Sequence, residues 1–274
     1  MSDNMFSLTG KVAVITGASA KGGVGHATAL CFAQAGADLF LSDIDDEGVR
    51  ATGEEVRALG RKAGVTHCDI SNPADVENLF NEVDRQFGRV DILVNVPFVF
   101  PSRVHPHELS LEAWNKTLAV SLTGYMLCSQ QAIRRMLMQD NGGCIVNVGS
   151  IAGASGMGRG NFPYSCAKAA VNQLTKELAV EYARNKIRVN AIMPAQVLTP
   201  GLMQLLEDPR FQATIRARTE AGIPMGRLLN PEEMAGPILF LASEAASAVT
   251  GALLPVDGGN LAMNAGGSHT WPQE

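Results

Sequence analysis

The chain has 274 residues, 46% hydrophobic and 18% charged, with a formal net charge of −5. That is enough apolar material for a sizeable core, and an acidic balance without a Lys/Arg cluster excludes a nucleic-acid surface. Five cysteines, an odd number with no CxxC spacing, read as reduced thiols of a cytoplasmic protein. The first residues carry no basic-then-apolar leader pattern, and no apolar run approaches the ~18 residues of a membrane span.

Lys11-Val12-Ala13-Val14-Ile15-Thr16 is a short β-branched run and predicts a buried strand. A Gly-rich turn and a helix over 24–35 follow. A second strand, Asp38 to Ser42, ends at Asp43, then come a charged helix over 46–59 and a strand from Lys62 to His67. Ser71 is the expected N-cap of a helix running to Phe87. A strand over 90–94 precedes a long helix over 111–138. The strand 144–149 leads into a helix over 162–184, and 187–192 is the sixth strand. A helix-prone segment over 199–222, a helix over 231–243 and a last strand over 252–256 complete the chain. There is no repeat, low-complexity stretch or Pro/Ser-rich linker, so residues 1–274 are expected to form one domain. Strand alternating with helix implies a parallel sheet covered on both faces. That is the α/β doubly wound (Rossmann) architecture, about seven strands with sites at their C-terminal ends.

Two constellations carry chemistry. In the turn after the first strand, Gly17, Ser19, Lys21, Gly23, Val24 and Gly25 are candidate contacts to a pyrophosphate, which glycines admit and a helix N-terminus attracts. Lys21 either touches a phosphate or is a solvated loop lysine. Asp43 can accept hydrogen bonds from ribose hydroxyls and would repel a 2′-phosphate, favouring NAD over NADP. In the second constellation, Tyr164 and Lys168 lie one helical turn apart on one face, where an ammonium favours a phenolate. A tyrosine otherwise titrates near ~10, too high for a base at neutral pH.

The Gly-rich turn, the run Cys144 to Gly149 ending at Ser150, and Tyr164-Ser165-Cys166-Ala167-Lys168 come in the order found in the classical short-chain dehydrogenase/reductase family, which residues 8–262 resemble. The resemblance implies Tyr164 as general acid/base, Lys168 as its pKa-lowering partner and ribose ligand, and Ser150 as a donor to the substrate oxygen. It implies adenine contacts from Asp69 and Ile70, a role for Asn95 at the nucleotide, and a hold on the nicotinamide carboxamide from Val197 and Thr199. The family's fourth catalytic residue, an asparagine, is replaced by Ser121 in Val120-Ser121-Leu122-Thr123-Gly124. Three further departures stand out: two extra residues in the Gly-rich turn, Val96-Pro97-Phe98 after Asn95, and one extra residue between Ser150 and Tyr164.

Residues after Asn95, the loop 151–163 and the segment 196–223 should line the substrate pocket, with Arg103, Arg159, Asn161 and Gln196 as candidate substrate contacts. His105 and His107 alternate as strand neighbours would, without a third ligand, so no metal site is expected. Few aromatics near the mouth disfavour a large aromatic substrate. The tail 260–274 is longer than the fold needs and is expected to pack on something, such as a neighbouring subunit. The leading expectation is an NAD-dependent oxidoreductase acting on a small polar alcohol or ketone, such as a sugar or polyol. The alternatives are a 3-oxoacyl-type carbonyl reductase and a nucleotide-binding regulator without turnover. The resemblance implies a homotetramer, and the acidic charge and the lack of a long apolar run leave neither nucleic acid nor membrane as an expected partner.

Overall fold

The computed structural model describes residues 4–19, 21–100, 104–158 and 160–264. Among these, the strands are β1 (Val12–Thr16), β2 (Asp38–Asp43), β3 (Ala63–His67), β4 (Ile92–Asn95), β5 (Gly143–Val148), β6 (Ile187–Pro194) and β7 (Leu253–Val256). They form one parallel sheet in the order β3-β2-β1-β4-β5-β6-β7. The strand order reverses between β1 and β4, the switch point outside which a doubly wound sheet places its ligands. Pro255 is tolerated because β7 lies at the sheet edge, where a missing N–H costs no ladder bond on the outer side.

Helices α1 (Val24–Gln34), α2 (Asp46–Ala58) and α3 (Pro73–Phe87) follow the first three strands. After β4 come α4 (Leu111–Leu118) and α5 (Gly124–Met136), and after β5 comes α6 (Phe162–Tyr182). The helices α7 (Pro200–Leu205), α8 (Pro209–Gly222) and α9 (Pro231–Ala242) lie between β6 and β7. The pleat sorts each strand's side chains between two cores. Ala13 and Ile15 of β1 pack with Phe32 of α1, Val49 and Val56 of α2 and Ile238 of α9. Val14 faces the other way, toward Leu79 and Phe80 of α3, Ile133 of α5 and Val171 of α6. Both layers are closed, so the strand ends carry the site and the faces carry stability.

Two local expectations change. The cap of α3 is Asn72, whose side chain accepts from the Ala74 N–H at 3.0 Å, with Pro73 in the first turn. Ser71 instead donates its N–H and hydroxyl to Asp69. The helix expected over 111–138 is interrupted by a π-helical turn at Ala119–Thr123 and ends at Met136. Such a turn inserts one residue into the i→i−4 ladder and commonly marks a functional position; here it contains Ser121.

Candidate active site

The turn after β1 is built backbone against backbone. Gly17, at φ +75°, donates its N–H to the Ser42 carbonyl at 2.8 Å. A Cβ on Gly25 would lie 2.1 Å from the Gly17 carbonyl oxygen, so only glycine lets α1 start this close to the turn. Asp43 ends β2 as expected. Its carboxylate accepts from the Ser19 N–H at 3.0 Å and the Asp45 N–H at 3.2 Å, tying the turn to β2 and leaving lone pairs for further donors. Lys21 is exposed in the turn. His26 was not singled out by the sequence reading. It is 8% exposed, its Nδ1 accepts from the Gly22 N–H at 3.4 Å, and its Nε2 meets Glu55 at 3.2 Å, so it braces the lengthened turn from α1. The turn, the start of α1 at Gly23 and Val24, and the Asp43 carboxylate together fit a dinucleotide's phosphates and ribose.

Three expected nucleotide contacts have structural partners. Ile70, 3% exposed, belongs to the core of the α3/α5 layer. Asp69 accepts from both donors of Ser71. Asn95 is fully buried and donates to Asn147 Oδ1 at 2.9 Å, joining β4 to β5. Asn147 in turn donates to Thr175 of α6 at 3.0 Å. This chain of amides fixes α6, and with it Tyr164 and Lys168, against the sheet.

Tyr164 and Lys168 stand in the first two turns of α6, with Pro163 preset for the helix start. Burial pushes the Tyr164 phenol up to about 12, and the neighbouring Ser150 hydroxyl offsets part of that shift. The expected lowering by Lys168 is therefore outweighed by desolvation, because Lys168 does not bond to the Tyr164 oxygen. Its ammonium lies 5.8 Å from the centre of the Tyr164 ring and donates instead to Tyr125 Oη at 3.1 Å and the Val148 carbonyl at 2.7 Å. Lys168 is wholly buried, and desolvation lowers its pKa to about 7. Tyr125 was missed by the sequence reading. Its only signal was an aromatic hydroxyl on an otherwise apolar helical face, which reads as core.

Ser121 sits in the π-helical turn with no exposed surface and accepts from the Val99 N–H at 3.3 Å. It holds the segment after β4, where Phe98 and Phe100 pack on Tyr164 with ring centres 5.8 and 4.6 Å away. Pro97 packs over Gly17. The departure from the family pattern at 96–98 thus covers the space between the Gly-rich turn and the tyrosine with apolar rings. Asparagine at 121 can accept the same N–H through its amide oxygen, so Ser121→Asn is expected to change kcat by less than about tenfold, ~1.4 kcal/mol. Steady-state kinetics of both proteins on one alcohol check this; a native chain that is inert beside an active asparagine variant would show Ser121 to be a disabling change.

On the substrate side, Arg103 and Arg159 lie outside the described residues. Asn161, 4% exposed and three residues before Tyr164, has a buried Oδ1 without a hydrogen-bond partner, and so does Gln196 at its Oε1. Trp114 of α4 packs on Phe162 at 5.7 Å, so the mouth is more aromatic than expected. Val197 bridges to Leu229, and Thr199 opens α7 as its N-cap. The segment 196–223 is largely the two helices α7 and α8. A cavity of about 600 Å³ lined by Leu206, Ile215, Thr219 and Leu228 lies along it and does not include Ser150, Tyr164 or Lys168. His105 and His107 flank and enter a single 3₁₀ turn, with rings stacked at 5.7 Å, rather than lying on a strand. The segments 224–227 and 256–259 join each other through Met225 N–H to the Gly258 carbonyl at 3.1 Å. Among the described residues no helix is long and apolar enough to cross a membrane, and the tail from residue 265 is outside them.

A family model described as enoyl-(acyl carrier protein) reductase matches residues 17–260. The chain is 41% identical to a cis-4-hydroxycyclohexanecarboxylate dehydrogenase of Sinomonas cyclohexanicum over 92% of its length and 97% of that protein's. It is 37% identical to a D-threitol dehydrogenase of Mycolicibacterium smegmatis, over 93% of its length and 94% of that protein's. The crystal structure of a levodione reductase superposes with a TM-score of 0.88 at 31% identity, covering 93% of this chain and 99% of that one.

Proposed function

Because the chain belongs to the classical short-chain dehydrogenase/reductase family, oxidoreductases acting on CH–OH groups with nicotinamide cofactors, we propose that it oxidises a small polyhydroxylated secondary alcohol, a sugar or polyol, with NAD. The observation that carries this reading is a pair of buried, unpartnered amide oxygens, Asn161 Oδ1 three residues before Tyr164 and Gln196 Oε1 just after β6. A buried acceptor left unmade costs ~1–3 kcal/mol, and substrate hydroxyls supply the missing donors. Phe98 and Phe100 beside Tyr164 favour a ring whose C–H face can lie on them. A cyclic polyol or pyranose has both surfaces, and the names of the cyclohexane and threitol enzymes lie in the same chemical range.

The bound cofactor supplies the hydride acceptor; the chain's residues handle the proton and the charge. Tyr164 as phenolate takes the hydroxyl proton, Lys168 as a nearby ammonium favours that anionic form against the burial that opposes it, and Ser150 donates to the oxygen as it becomes a carbonyl. The Gly17–Gly25 turn, with Ser19, Lys21, Gly23 and Val24, holds the phosphates, and Asp43 the adenosine ribose. Asp69 and Ile70 flank the adenine, Asn95 supports the nucleotide end of β4, and Val197 and Thr199 hold the carboxamide. The segment 196–223 closes over the substrate. The protein is a cytoplasmic homotetramer in this reading, its self-association supported by Met126 on α5 and Val180 on α6, 38% and 81% exposed. A panel of sugars, cyclic polyols and simple cyclohexanols read by NADH absorbance tests the substrate class: turnover confined to alcohols lacking a second hydroxyl overturns it.

Asp43 makes the cofactor preference testable. NAD is expected to exceed NADP in kcat/KM, and Asp43→Ala is expected to narrow the ratio by about tenfold or more, because it removes both a ribose acceptor and a charge that repels the 2′-phosphate. A native preference for NADP would mean that Lys21 or Arg50 takes the phosphate instead.

A further inference from the structure

We propose that Tyr125 is a positioning residue for Lys168: its hydroxyl accepts a hydrogen bond from the ammonium and its ring faces the same cation, so that the charge serving Tyr164 is held in place inside a dry core. Lys168 and Tyr125 both have no exposed surface. A buried ammonium is costly unless its N–H groups find acceptors. Lys168 has two, Tyr125 Oη at 3.1 Å and the Val148 carbonyl at 2.7 Å, and its nitrogen lies 4.6 Å from the centre of the Tyr125 ring, within cation–π range. The polarity of the contact is fixed by a third bond. Tyr125 donates its one hydroxyl proton to the Val148 carbonyl at 3.2 Å, so only its lone pairs face Lys168. Burial holds the Tyr125 phenol well above its ordinary range, so it remains a neutral acceptor throughout the working pH range.

The titratable groups around this cation are few. Tyr164 faces it from α6, Tyr125 from α5, and Cys128 lies one turn beyond Tyr125 with its thiol pushed up by burial. Among the described residues no carboxylate pairs with Lys168, so the acceptors that keep it charged are the Tyr125 hydroxyl and one carbonyl. Desolvation alone takes its pKa to about 7, which makes each acceptor matter at neutral pH. Tyr125 stands one turn after Ser121 on the same helical strip, just beyond the π-helical turn. Ser121, at the position of the family's asparagine, serves the Val99 N–H; the direct contact to the lysine is made one turn later.

The contact itself can be tested without any substrate, so its failure is distinct from failure of the proposed activity, on which only its catalytic consequence rests. Urea unfolding of the native chain, Tyr125→Phe, Lys168→Met and the double variant is measured at pH 5.5 and pH 9. Phenylalanine keeps the ring and removes the acceptor. Below the folded-state pKa of Lys168 the missing bond costs stability; above it the lysine is neutral in both proteins and the cost shrinks. The ratio of unfolding constants, Tyr125→Phe to native, is expected to be about threefold to tenfold larger at pH 5.5 than at pH 9, the range of one hydrogen bond. In the Lys168→Met background the same ratio is expected to be independent of pH. A ratio that does not change with pH in the native background, or changes equally without the lysine, shows that Tyr125 only fills space and overturns the proposal. With any alcohol that turns over, the high-pH limb of kcat/KM should move to lower pH in Tyr125→Phe; an unmoved limb with a lower kcat would mean a structural role.

Discussion

Replacing Tyr164 with phenylalanine should lower kcat by ~10²–10⁴-fold and leave the NAD dissociation constant within about threefold of native. The geometry separates the two quantities. Tyr164 is 7% exposed, and its ring packs on Phe98 and Phe100, contacts that phenylalanine keeps. Only the phenol oxygen is lost, and with it the group that takes the proton. The residues proposed for the nucleotide, from the Gly17–Gly25 turn to Asp43, are on other elements and feel no change in volume. Stopped-flow or steady-state rates with an alcohol from the panel, set beside a fluorescence titration with NAD, measure both. A variant with near-native kcat would remove Tyr164 from the proton transfer. A variant that loses NAD binding along with its rate would mean that the phenol holds the nucleotide, and the division of roles with Lys168 would fall.

The parts of this molecule written in short-range pattern were legible in the sequence. The β-branched run at 12–16 and its counterparts predict the strands because a doubly covered sheet needs continuous apolar runs. The Gly17–Gly25 turn was readable because only glycine allows the approach between those two backbones. Tyr164 and Lys168 were readable because helical spacing puts them on one face. What escaped depends on contacts between distant segments. The π-helical turn at 119–123 has no proline or glycine pair to announce it. Tyr125 looks like any core aromatic until β5 brings the Val148 carbonyl and α6 brings Lys168 to its hydroxyl. His26 becomes visible only when α2 brings Glu55 to it. Tyr164 shifts upward rather than downward for the same reason. Spacing told how near the lysine could be, but the oxygen's burial and the lysine's other partners decide the balance. Aromatic residues were underweighted because Trp114 lies far in sequence from the Phe162 it stacks on.

Lys168→Met should produce opposite changes in activity and stability. Methionine has similar length and no charge, so it fills the same buried channel without the desolvation cost. Desolvation lowers the pKa of Lys168 from 10.5 to about 7 in the folded protein. Below about 7 both folded and unfolded chains hold the proton, and the folded state carries the full cost of the buried charge. Between about 7 and 10.5 the unfolded chain still holds the proton while the folded one releases it. The unfolded state then binds more protons, so stability rises with pH through this window, by up to ~1.4 kcal/mol per unit from this one group. The methionine variant has no such group. It should be more stable than the native protein at pH 6, by an amount on the order of a few kcal/mol, and the advantage should fade as pH approaches 10. Tyr164 contributes with the opposite sign only above its ordinary value of 10.0, since its folded pKa is about 12; a scan ending at pH 9.5 keeps the two apart. Activity should move the other way. Without the ammonium only the Ser150 hydroxyl offsets the burial that holds Tyr164 protonated, so kcat near neutrality should fall by at least ~10²-fold, and the NAD dissociation constant should rise if Lys168 also reaches the ribose. Chemical denaturation at half-unit steps from pH 6 to 9.5 reads the stability arm. A methionine variant that parallels the native curve across this range would show that Lys168 does not change its protonation there on unfolding. The charge proposed to serve Tyr164 would then need a different source.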